Sequence, residues 1–95
     1  METKFIFNKT PYGNKEVDFC KSGSGLSENG SLLKYFGNGI LEIRARYGNN
    51  LCETLSELLS INPGLEIRAL TGPHISNKFG DIGIIVVFSE KIINK

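Results

Sequence analysis

Five residues occur twice in this chain. Leu41-Glu42-Ile43-Arg44-Ala45 returns as Leu65-Glu66-Ile67-Arg68-Ala69, 24 positions later. In both copies apolar and charged residues alternate strictly, the period of a strand with one face in a core and one in water. Between them Leu51, Leu55, Leu58 and Leu59 form one stripe at helical spacing. A helix bracketed by two half-buried strands is therefore the condition that any fold of this chain must meet. Asn49 and Asn50 stand where caps of that helix belong, and Asn62-Pro63-Gly64 ends it. A helix–strand duplication accounts for the echo, although five residues of ordinary strand composition also coincide by chance.

The remaining segments are read around that unit. Phe5 and Phe7, then Val17 and Phe19, alternate with polar residues on either side of Thr10-Pro11-Tyr12-Gly13-Asn14, which predicts a hairpin over about 4–20. Residues 21–30 read as a flexible Ser/Gly loop. The stretch 31–36 reads as a short helix, capped by Ser31 or Asn29 and stopped by Gly37-Asn38-Gly39. Residues 71–80 read as a polar loop with Gly72-Pro73 and the single histidine, His74, and 81–88 as a strand apolar on both faces. The expected fold is α+β, one two-layer domain over residues 1–95 in the order ββαβαββ, with a mixed sheet and two helices on one face. A β-grasp arrangement shares much of that order.

Composition narrows the function. Ninety-five residues make one domain, and 40% hydrophobic with 22% charged residues is globular rather than disordered composition. A net charge of +1 gives no pull toward nucleic acid. The longest apolar run, 82–88, is broken by Gly83 and falls far short of the ~20 residues that cross a bilayer. Met1-Glu2-Thr3-Lys4 followed by Phe5-Ile6-Phe7 does not read as a signal peptide, so Cys20 and Cys52 are expected as free thiols in a cytoplasmic protein. One histidine and two distant cysteines make no metal cage, and no cofactor is expected.

If the two repeated strands are parallel neighbours, the helix between them is a right-handed crossover. Their carboxyl edge then gathers three irregular segments, 22–30, 47–52 and 71–80. Helix N-termini there favour an anion. The candidate ligand-binding residues are Ser22, Gly23, Ser24, Gly25, Arg46, Tyr47, Asn49, Asn50, Thr71, Gly72 and His74. Gly25-x-x-x-x-Gly30-Ser31 has the glycine spacing of a phosphate loop but lacks its lysine. Cys52 and His74 are the one nucleophile–base pair on offer, a weak catalytic candidate.

On the opposite face of the sheet, Arg44 and Arg68 are expected to form a basic row without the interleaved aromatics of an RNA-binding surface. Ile6, Ile85 and Val87 also point away from the core set and call for cover, so a homo-oligomer through the sheet or an edge is expected. The leading reading is a small cytoplasmic non-enzymatic protein that binds or sequesters an anionic small molecule such as a nucleotide at the loop edge, a role that suits a phage or mobile element. The alternatives are a protein-interaction or inhibitor module working through the sheet face, and a small Cys/His enzyme.

Overall fold

Alternation of burial, residue by residue, builds most of this molecule. The computed structural model describes residues 4–10, 13–75 and 77–91, the side chains of 7–10 excepted. The elements are β1 Lys4–Thr10, β2 Gly13–Asp18, β3 Gly23–Leu26, β4 Leu32–Gly37, β5 Ile40–Ala45, α1 Gly48–Ile61, β6 Leu65–Ile75 and β7 Ile82–Glu90. The expected β1–β2 hairpin and the strand–helix–strand unit are present. The order ββαβαββ with two helices is not: the chain is mostly β, with one helix among the described residues.

The overturned helix is 31–36, which is strand β4. Leu33, Tyr35 and Gly37 are buried while Leu32, Lys34 and Phe36 are exposed, so the segment has period 2 and not 3.6. Strand β4 leads into a hairpin turn rather than a helix stop, with Asn38 at φ 55° and Gly39 at φ 88°. Gly39 is required there, because a Cβ would lie 2.1 Å from the Phe88 carbonyl oxygen while the Gly39 carbonyl accepts the Phe88 N–H at 2.8 Å. The expected loop 21–30 contains β3, which returns into β4 through a turn in which the Ser27 N–H reaches the Ser31 carbonyl at 2.9 Å. The expected loop 71–80 begins inside β6, which runs on to Ile75 through two register breaks.

Five strands form one antiparallel sheet in the order β3-β4-β5-β7-β6, and the β1–β2 ribbon joins it through a single bridge between Lys9 and Leu26. Strands β5 and β6 do point the same way, but β7 lies between them and is antiparallel to both. The mixed sheet, and the parallel pair that a β-grasp needs, are therefore absent among the described strands. For the same reason Arg44 and Arg68 form no continuous row, and Arg68 falls at a register break.

One face of the sheet is covered by α1 and the ribbon together. Leu51 and Leu58 of α1 join Leu41, Ile43 and Val86 of the sheet in the core. Phe5 of the ribbon is fully buried, stacked on Tyr35 with ring centroids 4.4 Å apart and 5.7 Å from Phe88. Asn62, at the end of α1, ties the two covering pieces together. Its Oδ1 accepts the Ile6 N–H at 2.8 Å, and its Nδ2 donates to the Ile6 and Leu58 carbonyls at 3.0 and 2.8 Å. The helix begins without a side-chain cap: Tyr47 is its N-cap, and Asn49 and Asn50, expected as caps, lie in its first turn. No helix among the described residues is long and apolar enough to cross a membrane.

Candidate functional site

The face of the sheet that α1 and the ribbon leave open is ordered as rows across the strands, because directly paired residues share a face. One row runs Leu26, Leu32, Arg44, Gly83, His74, and the next runs Ser24, Lys34, Glu42, Ile85, Thr71. Beyond them Ile40 pairs with Val87 and Val87 with Ala69. Four large apolar side chains here are open to solvent: Leu26 at 42%, Leu32 at 50%, Phe36 at 48% and Ile40 at 40%. Strand β7 adds the half-buried Ile85 and Val87.

A compact charged group sits among them. The Glu42 carboxylate, only 13% exposed, accepts from Arg44 Nε and lies 3.1 Å from its Nη2, and its second oxygen is 4.0 Å from His74 Nε2. Gly83, between Arg44 and His74 in the row, has no side chain to part them. Lys34 lies 5.2 Å from the Phe36 ring centroid and has no ion-pair partner among the described residues. This part of the face is a shallow depression of about 480 Å³, lined by Ser24, Leu26, Leu32, Lys34, Glu42 and Arg44 among others.

The residues expected to meet at the loop edge are divided by this geometry. Ser24, Thr71 and His74 lie on the open face, and Gly25 lines the depression. Ser22 and Gly23 lie at the other end of the sheet, since Gly23 pairs with Tyr35 and Tyr35 with Leu41 at the start of β5. Arg46, Tyr47 and Asn49 are exposed around the start of α1, with Asn50 half-buried. Gly72 packs on β7, where an added Cβ would lie 2.9 Å from the Gly83 carbonyl oxygen.

The turn at 27–31 meets the start of the helix, and its polar groups are spent on one another. Ser27, Ser31 and Thr54 are buried, and all three hydroxyls lie within 2.6–3.2 Å of Asn29 Oδ1. Asn29 Nδ2 donates to the Asn50 carbonyl at 3.1 Å and lies 3.3 Å from Glu53 Oε1. This knot anchors the β3–β4 hairpin to α1. Beside it, between α1 and β6, lies an apolar hollow of about 230 Å³ lined by Leu51, Cys52, Leu55, Leu70, Pro73 and Ile84 among others. Cys52 thus faces the helix side of the sheet and His74 the open side. Among the described residues no three His, Cys, Asp or Glu side chains come together as a metal site.

The residues that sequence reasoning missed are those of the β3–β4 hairpin: Leu26, Leu32, Lys34 and Phe36. Asn29-Gly30 and Asn38-Gly39, the commonest dipeptides of tight hairpins, were the available signal. Comparison with protein-family models, curated proteins and solved structures finds no match for this chain.

Proposed function

We infer that this protein is a non-enzymatic binding module that engages a protein partner through the open face of its sheet. The supporting observation is the set Leu26, Leu32, Phe36 and Ile40, each exposed by 40% or more on the open face that carries the Glu42–Arg44–His74 group. A small domain has strong reason to bury such side chains, and a contiguous apolar patch rimmed by charge is what protein interfaces present. The helix-side surface offers less, since its hollow is small and the Ser27, Asn29, Ser31 and Thr54 side chains beside the start of α1 are bonded to one another.

The test compares capture by three baits. Wild type and Ser56→Asp, a change on exposed helix surface, should retain the same protein, while Leu32→Asp/Phe36→Asp loses it with an unchanged circular-dichroism spectrum. Retention of that protein by the sheet variant would refute the reading.

A second reading rests on the depression itself. Lys34 and Arg44 beside the Ser24 hydroxyl suit an anionic small molecule such as a nucleotide, held on the sheet face rather than at the loop edge. Nucleotides, cyclic dinucleotides and sugar phosphates at millimolar concentration should then raise the melting temperature of wild type and not of Arg44→Ala.

A further inference from the structure

Resting on the binding-face reading, we propose that the partner is a second copy of this chain, packed face to face about a two-fold axis that runs along the strands between β4 and β5. Stacked sheets keep their strands within about 30° of alignment at a spacing of ~10 Å, so such an axis is a natural one for two copies of this face. It exchanges β4 with β5 and β3 with β7. Each residue then faces the cross-strand neighbour of its own position, supplied by the other copy.

The observed register makes that exchange complementary. Lys34 pairs directly with Glu42, so Lys34 faces Glu42 of the second copy, and the pair occurs twice. Leu32 pairs with Arg44, so Leu32 meets the aliphatic stem of Arg44. Leu26 pairs with Leu32 and Arg44 with Gly83, so the exposed Leu26 falls on the position where Gly83 leaves no side chain.

Other axes do worse. An axis along β5 sets Glu42 on Glu42 and Arg44 on Arg44, and one between β5 and β7 sets Glu42 on Ile85. An axis across the strands leaves Lys34 facing Leu32, Phe36 or a second Lys34. Only the β4/β5 axis gives a carboxylate to the lysine that has none among the described residues.

The size of the face fits. The four strands that face one another about this axis, about 4.8 Å apart with roughly six residues at ~3.4 Å each, project on the order of 400 Å² before side-chain relief is counted. That is the same order as the ~800 Å² per partner of a standard interface. The sheet edges are poor alternatives. Strand β6 has two register breaks and Pro73, which lacks an N–H, and β3 is four residues long with β1 bridged to it.

Sedimentation velocity and native mass spectrometry across the micromolar range test this with a charge swap. Wild type should run as twice 10.5 kDa. Lys34→Glu alone and Glu42→Lys alone each set like charges face to face and should weaken self-association by roughly tenfold or more. Mixed one to one, they should restore dimers that are heteromeric by mass. Leu26→Glu, at an exposed position, should also dissociate the dimer and covers the case in which Glu42→Lys fails to fold. A monomeric wild type, or single variants whose mixture gives no heterodimer, overturns the self-pairing. If the monomer still loses a captured protein through Leu32→Asp/Phe36→Asp, the binding-face reading stands. A dimer indifferent to every substitution on this face overturns both.

Discussion

Tyr35 and Asn62 hold polar hydrogen bonds beneath the covering ribbon, Tyr35 under Phe5 and Asn62 at the backbone of the adjacent Ile6. The Tyr35 hydroxyl donates to the Phe19 carbonyl and accepts the Gly39 N–H at 2.8 Å, which pins the β2 end to the β4–β5 turn. Burial pushes its pKa above 10.0; the Gly39 N–H opposes the shift, and nearby Cys20 and Asp18 add to it. A raised folded-state pKa means that the native protein holds the proton more tightly. The associated stability is complete below pH 10 and is lost as pH rises through the native value. Tyr35→Phe should lower stability by about 1–3 kcal/mol at neutral pH and flatten that alkaline loss, read as the difference between the two denaturant-midpoint curves. Asn62→Ala should cost about 2–3 kcal/mol by stranding Ile6 N–H and carbonyl groups. Asn62→Asp should not rescue it, because a carboxylate cannot donate to the Ile6 and Leu58 carbonyls.

Among the elements, legibility in the sequence depends on the clarity of the period. Leu41–Ala45 and the leucine stripe of α1 have one period each and were readable as strand and helix. In 31–36, Leu32, Leu33, Tyr35 and Phe36 satisfy a helical stripe as well as an alternating one, so local pattern cannot decide and tertiary pairing does. With that strand missed, half of the open face was missed too, whereas Glu42, Arg44, Ile85 and Val87 were placed on it from alternation alone. The insertion of β7 between β5 and β6 was not legible, because an alternating pattern reports which face a residue takes and not which strand lies beside it. Gly39→Ala tests the β4–β5 turn directly. It forces φ 88° on alanine and a Cβ onto the Phe88 carbonyl, and should lower the unfolding free energy by at least ~2 kcal/mol in denaturant titration, while Gly64→Ala, where nothing lies within 4 Å, should have little effect.

For the molecule as a whole, assembly and stability are linked. If copies pair through their open faces, the melting temperature of wild type rises with protein concentration and that of Lys34→Glu does not. Val87→Lys should lose the dependence as well, by placing a charge in the covered patch. The sheet order has a different implication for how the chain comes to be folded. Strand β7 sits between β5 and β6 in space yet comes after both in sequence, so the two copies of Leu-Glu-Ile-Arg-Ala cannot be joined into one sheet until it has been made. Without residues 82–90, β5 and β6 would each present an unpaired edge, the kind of surface that invites association with other chains. Strand β7 is therefore the piece whose arrival joins β6 to the rest of the sheet.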